Sequence, residues 1–547
     1  MALVHGLHFN NIRGDIFGGL TAAVVALPLA LAFGVSSGAG PIAGLYGAIF
    51  VGFFAALFGG TPSQVSGPTG PMTVVMAAIF TEYVAMDPIN GPALAFTVVI
   101  MGGLFQILFG VLRIGSYINY VPQPVISGFM SGIGVIIIIL QAGPLLGHVG
   151  LGGVLPSLQA LPQAISQPVV PALILGLITL GIVFYTPSKI SRFIPAPLLA
   201  LITGTVILLF VMPSSEVTIL GEMPSGLPDP QLPIITLALL PGMVKSALIL
   251  ALLGTIDSLL TSLVADNITR SSHNSNRELI GQGIGNTVAG LFGGLPGAGA
   301  TMRTMINVRS GGQTPISGAF HALVLLSIVL GLGSVASYIP HVVLAAILIK
   351  VGFDIIDWDY LKRIRSSSRP GVVVMITVLS MTVFVDLIVA VGVGMMMASL
   401  LFLKRQSKLQ LDSINIIRAV DEEACLTAEE TEIFTAAKGQ LLLFHLGGPM
   451  SFGAAKDMVH LLAYQQNYQV LVLDLSDVPA LDYSASRAVK DMIINTLDQD
   501  REVVLALPDG DVKEFLQREC ILNTLPKTNI LSNRLSALRQ GGAQVTI

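Results

Sequence analysis

Charged residues and cysteines are both scarce in this chain of 547 residues. Only 11% of the residues carry a charge, whereas roughly a quarter do in a soluble domain, so the composition excludes an entirely soluble protein. The formal net charge of −4 gives no reason to expect nucleic acid or another polyanion as a partner. The two cysteines, Cys425 and Cys520, form no CxxC pair, and the sequence predicts neither disulfides nor bound zinc.

Long apolar runs fill most of the chain instead. Hydrophobic residues make up 53% of the sequence, and the mean hydropathy is +0.79. A crossing of the bilayer needs about 20 residues. The interruptions between the apolar runs fit about fourteen crossings, so a polytopic α-helical membrane protein is expected. The first run is too long and too rich in glycine for a signal peptide. The apolar cores of eight candidate crossings are 15–37, 96–111, 125–140, 172–185, 198–212, 246–264, 319–332 and 372–385.

Lys and Arg residues are distributed unevenly among the connectors between these runs. Connectors near 38–41, 86–91, 143–167 and 213–240 contain none, and Lys245 is the visible exception to the pattern. The positive-inside rule then predicts an even number of crossings in the inner (plasma) membrane, with a cytoplasmic N-terminus and C-terminal region. The basic residues assigned to the inside are Arg13, Arg113, Lys189, Arg192, Arg270, Arg277, Lys362, Arg363, Arg365, Arg369, Lys404 and Arg405.

The composition changes after the last run. We predict a transmembrane domain at 1–405, a charged linker at 406–437 and a soluble α/β domain at 438–547. Within that domain, periodicity predicts three strands and two helices. The strands are predicted at 441–445, 470–475 and 502–506, and the helices at 452–466 and 484–496.

Two short breaks rich in Gly, Pro and Thr interrupt the apolar runs, SGPTGP at 66–71 and LPGAGAT at 295–301. Paired breaks in two halves of a chain indicate a transporter's midplane binding site. Each helix start leaves about four N–H groups unpaired and carries roughly half a positive charge, so two facing starts predict an anion site. Small residues also allow close helix packing, which is the alternative interpretation. The residues expected to bind substrate are Thr69, Thr73, Ala300, Thr301 and Arg303.

Asp257 lies inside the apolar stretch 247–264. An ionised carboxylate there costs at least about 2.5–3.5 kcal/mol, so it is expected to face a polar cavity. Thr261 follows one turn later on the same face. With the backbone at Gly299 and Thr301, these oxygens form a set suited to Na+ as a coupling ion. A protonated Asp257, or an ion pair with Arg303, is the alternative.

Several motifs resemble those of known families. The segments VLVLDLSDVP (470–479) and LDYSAS (481–486) resemble the STAS domain of sulfate transporters and anti-sigma factor antagonists. Ser484 matches the phosphorylatable position of the antagonists, although a Ser at a helix start is typically a cap.

Four membrane segments are similar to the SulP (solute carrier 26) anion transporters, namely TAAVVALPLALAFG (21–34), PTGPMT (68–73), HNSNREL (273–279) and GQGIGN (281–286). Within that family, IDSLLTS (256–262) and GAGAT (297–301) look closest to the BicA-type sodium-dependent bicarbonate transporters.

The resemblance implies two inverted repeats of seven spans. It implies a core domain at roughly 12–115 and 241–335 that moves like an elevator against a gate domain at roughly 116–240 and 336–405. In that fold the third and tenth spans are each a short strand followed by a half-helix, and family members often dimerise through STAS. Many anion-exchanging members carry a basic residue at the position of Arg303.

The expected function is therefore Na+-dependent bicarbonate symport in the lipid bilayer, and nothing in the sequence suggests catalysis. Within the same family, the alternatives are symport of sulfate or a dicarboxylate with protons, and chloride/bicarbonate exchange. An alternative of another class is a membrane-anchored STAS signalling module.

Overall fold

The structure is a computed structural model that describes residues 4–151, 153–187, 190, 194–212, 216–221, 228–385, 387–418 and 426–545. Lys189, Arg192 and Cys425, which were named above, lie outside the described residues. The chain divides into two compact units, Met1–Met395 and Met396–Ile547. The division falls within the last long apolar helix.

The first unit is almost entirely helical. Its helices before the second break are α1 (Ile12–Ser36), α2 (Pro41–Phe58), α3 (Gly70–Met86), α4 (Gly91–Val111), α5 (Gln123–Leu145), α6 (Val154–Ser166), α7 (Val170–Tyr185), α8 (Ala196–Val206), α9 (Leu240–Thr269) and α10 (Ser275–Leu291). The helices after that break are α11 (Thr301–Arg309), α12 (Pro315–Ala336), α13 (His341–Ile355), α14 (Trp358–Lys362), α15 (Arg369–Phe384) and α16 (Leu387–Asp412). Among its described residues, this unit also contains a 3-10 helix at Ile114–Tyr120 and a π-helix at Ile207–Val211.

Both predicted breaks are present. Strand β1 (Ser66–Gly67) pairs antiparallel with β2 (Ala298–Gly299), with Ser66 opposite Gly299. Helix α3 begins three residues after β1, and α11 begins two residues after β2. The expectation of a short strand followed by a half-helix is confirmed at both places, because Pro68, Pro71 and Pro296 cannot donate the hydrogen bonds that a continuous helix needs.

Glycines in α10 allow it to pack against two neighbouring helices. A Cβ at Gly281 would lie 2.3 Å from the Gly59 nitrogen, and one at Gly283 would lie 2.5 Å from the Gly103 carbonyl oxygen. The GxGxG spacing at 281–285 therefore reflects close packing of helix backbones and not a nucleotide-binding turn.

Six of the described helices are long and apolar enough to cross a membrane, and a seventh is added if the pair α6–α7, bent by 109°, counts as one span. Four shorter apolar helices accompany them, at Gly70–Met86, Ala196–Val211, Pro315–Gly331 and Arg369–Phe384. A half-helix is short because part of its span is extended strand, so length alone does not fix the number of crossings. The total of fourteen stays a prediction.

The second unit contains a five-stranded sheet in the order β3-β4-β5-β6-β7. Strand β3 pairs antiparallel with β4, and all the other pairs are parallel. Its strands are β3 (Ile414–Ile417), β4 (Leu441–Gly447), β5 (Val470–Asp477), β6 (Glu502–Ala506) and β7 (Ile530–Leu531). Its helices after α16 are α17 (Ala428–Ala436), α18 (Phe452–Ala463), α19 (Tyr483–Leu497), α20 (Asp511–Arg518) and α21 (Arg534–Gln544), with 3-10 turns at Leu522–Thr524 and Lys527–Asn529.

The three strands and two helices predicted for this unit are confirmed. Two differences concern residues next to them. The stretch 406–437, predicted as a linker, contains the end of α16, the edge strand β3 and helix α17. The helix predicted from Ser484 begins one residue earlier, and Asp482 is its N-cap because its carboxylate accepts a hydrogen bond of 2.8 Å from the Ala485 nitrogen. Ser484 is exposed and is not the cap.

Candidate functional site

The starts of α3 and α11 face a common cavity of about 640 Å³. The first break contributes residues 68–71 to its lining, and the second contributes residues 299–303. Helix α9 adds Asp257, and α1 adds Val25, Leu29 and Phe33. The antiparallel pairing of β1 with β2 holds the two breaks together. Because each strand has only two residues, both of the helix starts that follow lie close to this pair.

Both helix starts retain backbone donors. In α3 the Thr73 nitrogen already donates to the Thr69 carbonyl at 2.9 Å, and Pro71 has no N–H, so Gly70 and Met72 supply the amides without an intrahelical acceptor. In α11 the Thr304 nitrogen donates to the Ala300 carbonyl at 2.8 Å. The amides of residues 301–303 thus have no acceptor within α11. Partial positive charge is concentrated at the cavity wall.

Asp257 and Thr69 each present a buried oxygen without a hydrogen bond. Asp257 Oδ2 and Thr69 Oγ1 make no hydrogen bond of normal geometry with a described residue, although the two side chains are close neighbours. The residues are 6% and 8% exposed. Both residues line the cavity. A buried polar atom without a partner costs free energy. A ligand that binds to these two oxygens would therefore gain more binding free energy than one elsewhere on the wall.

The other predicted Na+ ligands also come together. Thr261 Oγ1 donates to the Gly299 carbonyl at 2.9 Å and lies 2.8 Å from Thr301 Oγ1. The Gly299 nitrogen donates to Ser258 Oγ at 3.1 Å. Helix α9 therefore holds the strand before α11 by two side-chain contacts. The Gly299 carbonyl, which is one of the predicted Na+ ligands, already accepts one hydrogen bond.

Arg303 reaches across to the first break. Its guanidinium Nη2 donates to the Pro68 carbonyl, and the side chain is 3% exposed. Gly67 has φ of +149°, and a Cβ there would lie 2.7 Å from Arg303 Nη1, so this position requires glycine. No salt bridge joins Arg303 to Asp257, both of which the structure describes. The direct ion pair between them, which was the alternative, is therefore not formed in this conformation.

Two of the predicted substrate residues are less available than expected. Thr73 does not line the cavity, and its hydroxyl donates to the Thr69 carbonyl at 2.8 Å, as a Thr inside a helix commonly does. Ala300 lines the cavity, but its nitrogen donates to the Val65 carbonyl at 3.0 Å because it continues the pairing of the two breaks. A ligand can therefore approach the backbone closely at Ala300, but the Ala300 amide is not available to bind it.

The opposite wall of the cavity comes from the segments predicted as gate. Helix α5 contributes Met130, α7 contributes Val183 and Phe184, and α13 contributes residues including Lys350 and Asp354. The cavity therefore lies between the predicted core and the predicted gate.

A buried polar network behind the two breaks was not predicted to have a role. The Glu278 carboxylate accepts hydrogen bonds from the Gly60 and Thr61 nitrogens, each at 2.9 Å, and from Gln64 Nε2 at 2.7 Å and Gln282 Nε2 at 2.8 Å. Gln282 Nε2 also lies 2.6 Å from its acceptor Ser66 Oγ in β1. The sequence signal was a carboxylate between apolar segments, the same signal that identified Asp257.

Comparisons with known proteins agree with this architecture. The family model described as "Sulfate permease family" matches residues 12–378, and the STAS domain model matches residues 433–529. The bicarbonate transporter BicA of Synechocystis sp. is 48% identical over 540 residues, covering 98% of this chain and 96% of that protein.

Two solved structures are similar as well. The transmembrane domain of a cyanobacterial bicarbonate transporter BicA matches with a TM-score of 0.68 and 52% identity, over 71% of this chain and all of that one. Murine Solute Carrier 26 family member A9, described as an anion transporter in the inward-facing state, matches with a TM-score of 0.82 over 98% of this chain and 92% of that one. The second likeness, at 18% identity, concerns the fold alone.

Proposed function

The chain belongs to the sulfate permease family, and we propose that it carries bicarbonate together with Na+. It is a multi-pass membrane transporter of anions and not an enzyme, since the relatives that cover its length are named as transporters. The choice of bicarbonate rests on the 48% identity to BicA over nearly the whole of both chains.

One observation carries the proposal: the two helix starts share a cavity with the unpartnered oxygens of Asp257 and Thr69. The amides of residues 70, 72 and 301–303 suit the oxygens of a small anion. The Thr69 hydroxyl would donate to that anion, and the small Ala300 would let it approach the backbone. Arg303 adds positive charge, and its guanidinium donates a hydrogen bond to the Pro68 carbonyl.

Na+ would bind on the Asp257 side of the same cavity. Gly299 and Thr301 line the cavity together with Asp257, whereas Thr261 is fully buried and does not line it. Thr261 Oγ1 contacts the Gly299 carbonyl and Thr301 Oγ1, so these oxygens form a compact set, and the Asp257 carboxylate one turn from Thr261 would supply the negative charge. Hard cations such as Na+ are bound by oxygen atoms of this kind in transporters with interrupted helices. A bound Na+ would neutralise Asp257 and favour the entry of an anion beside it, which gives a physical basis for coupling.

Transport would proceed by an elevator-like shift of the core against the gate. The position of the cavity between these two predicted parts supports this mechanism. The gate-side lining includes residues 195–197 and 354–355, which flank the basic connectors assigned to the cytoplasm. In the proposed inner-membrane topology, these residues lie on the cytoplasmic side of the cavity.

A second candidate function is chloride/bicarbonate exchange. The buried positive charge of Arg303 in the cavity wall favours it, because the guanidinium could balance an anion without Na+.

We also propose a homodimer formed through the STAS domain, which native mass spectrometry of the full chain and of a chain ending before residue 439 would test.

The deciding experiment is uptake of labelled bicarbonate into proteoliposomes that contain the purified protein. Symport predicts uptake that rises with an inward Na+ gradient and does not need chloride inside the vesicles. Exchange predicts uptake that needs internal chloride and ignores Na+. Competition by unlabelled bicarbonate, sulfate, chloride and fumarate would identify the preferred anion, and uptake indifferent to Na+ would reject symport.

A further inference from the structure

Lys350 and Asp354 form an ion pair on the gate side of the cavity, opposite the two breaks. Both lie on α13, one turn apart, and their side chains are 25% and 36% exposed. Among the described residues that line the cavity, the only other charged ones are Asp257 and Arg303. The wall that faces the proposed substrate site therefore carries one cation and one anion of its own.

Aromatic rings hold Lys350 in place. Its Nζ lies 5.3 Å from the centroid of the Phe184 ring, a cation–π distance. The Phe184 ring packs edge-on against Phe353 with centroids 5.4 Å apart, and Phe353 packs against Trp358 at 4.6 Å. The ammonium group is thus positioned at the cavity by its contact with Phe184 of α7. The Phe184 ring is in turn packed against Phe353 of α13, which contacts Trp358 of α14.

Asp354 stands at a position where helix electrostatics do not favour it. Helix α13 ends at Ile355, so the carboxylate lies in the last turn, where the helix dipole is negative. A neutral residue there would remove that repulsion and leave Lys350 with its full charge. The presence of Asp354 therefore reduces the positive potential of the gate wall.

We propose that Lys350 determines anion specificity from the gate wall and that Asp354 limits the attraction, so that the cavity admits a monovalent anion in preference to a divalent one. An anion that enters competes with the Asp354 carboxylate for the Lys350 ammonium group. The proposal rests on the anion-transport function proposed above, and it concerns residues outside the pair of breaks.

Coulomb's law gives the proposal a quantitative signature. The interaction of a wall charge with a divalent anion is twice that with a monovalent one at the same position. Neutralising Lys350 should weaken bicarbonate binding by about three- to fivefold and sulfate binding by about ten- to twentyfold. Neutralising Asp354 should strengthen the binding of bicarbonate and of sulfate by the same respective factors. Sulfate then becomes the stronger competitor.

The test compares four variants with the wild-type protein in proteoliposomes: Lys350→Gln, Asp354→Asn, the double variant, and Lys350→Arg, which keeps the charge. The measured quantities are the KM for bicarbonate, the maximal rate and the sulfate concentration that halves uptake. Lys245→Gln is the matched control, because Lys245 is exposed and does not line the cavity. We expect opposite shifts in KM for the two single variants, an intermediate value for the double variant and a near-normal value for Lys350→Arg.

Equal changes for bicarbonate and sulfate, or a fall in maximal rate with unchanged KM in all the variants, would overturn the proposal and indicate a structural ion pair. If the wild-type protein transports no bicarbonate, that result contradicts the proposed function and not the proposal about specificity. Titrations of the protein's thermal unfolding with bicarbonate and with sulfate would then measure the same charge dependence without transport. Sulfate and bicarbonate shifts that respond equally to Lys350→Gln would reject the specificity role in that case also.

Discussion

The guanidinium of Arg303, in the first turn of α11, donates a hydrogen bond to the main-chain carbonyl of Pro68, just before α3. One side chain thus connects the two interrupted helices directly, beside the short pairing of β1 with β2. The guanidinium therefore helps to set the separation of the two helix starts, in addition to bringing positive charge to the cavity.

Replacing Arg303 by Lys separates these two contributions. Lys keeps the charge, but it lacks the planar fork of donors and cannot reproduce the guanidinium's geometry. Loss of a charge-assisted hydrogen bond of about 1.5–3 kcal/mol should reduce the rate of anion uptake by about tenfold or more. The measurement is initial uptake in proteoliposomes at matched protein density. Arg309→Lys, at the exposed end of the same helix, is the control and should behave like the wild type. Full activity of Arg303→Lys would mean that charge alone matters.

Asp257→Asn tests the coupling role of the buried carboxylate. The amide has nearly the same shape but no negative charge, so a site that uses the charge to hold Na+ should lose its dependence on Na+. We expect uptake that is slow and equal with and without a Na+ gradient, measured over a range of Na+ concentrations. Glu82→Gln, on the exposed surface of α3, provides the same chemical change away from the cavity. If Asp257 were protonated in the working protein, Asn would leave the Na+ dependence unchanged.

Glu278→Gln should destabilise the membrane unit without touching the cavity. The wild-type carboxylate accepts four hydrogen bonds, and the residue is 1% exposed. The amide nitrogen of Gln would face at least one of these donors, which leaves a buried group unsatisfied at a cost of about 1–3 kcal/mol. Thermal unfolding in detergent, followed by size-exclusion of the remaining folded protein, should show a midpoint several degrees lower. A midpoint equal to that of wild type and of Glu82→Gln would contradict the structural role.

The sequence was sufficient to predict both breaks and the alternating strands and helices of the second unit. Proline and glycine interrupt helices for local reasons, so positions 66–71 and 295–301 could be assigned without knowledge of the fold. Asp257 was equally visible, because an ionisable side chain is costly inside an apolar membrane segment and usually marks a functional site there. The proximity of the two breaks came from the family resemblance and from the analogy with paired breaks in transporters.

Other features depend on packing between distant segments. No local signal says that the Ala300 nitrogen donates to the Val65 carbonyl, or that the Arg303 guanidinium reaches Pro68. The grouping of Thr261 with Gly299 was predicted, but it came from the analogy with transporters in which unwound backbone binds Na+. Strand β3 was missed because it has only four residues and lies in a charged stretch. Three of its four residues are Ile, which favours strands, and its pairing with β4 stabilises it further.

The ion pair between Glu430 and Arg534 allows a prediction about pH in the second unit. Arg534 Nε and Nη2 donate to the two Glu430 oxygens at 2.7 and 2.9 Å. Burial raises the pKa of Glu430, but the hydrogen bonds from Arg534 and Thr427 outweigh it and hold that pKa below its ordinary value of 4.5. A lowered pKa in the folded state means that the stabilisation is fully present above pH 4.5 and is lost as the pH falls through the folded-state pKa.

Arg534→Gln should therefore reduce the stability of this sheet at pH 7 by about 1–3 kcal/mol, because Glu430 keeps its charge but loses its strongest partner. The deficit should shrink below about pH 4.5, where protonation removes the unpaired charge. Amide hydrogen exchange of β4 and β5 in the full-length protein, compared between variant and wild type at each pH, measures the difference without interference from intrinsic exchange rates. Arg518→Gln, at an exposed position in α20, is the control. A deficit that is the same at pH 7 and at about pH 4 would show that Arg534 acts through packing and not through the charge of Glu430.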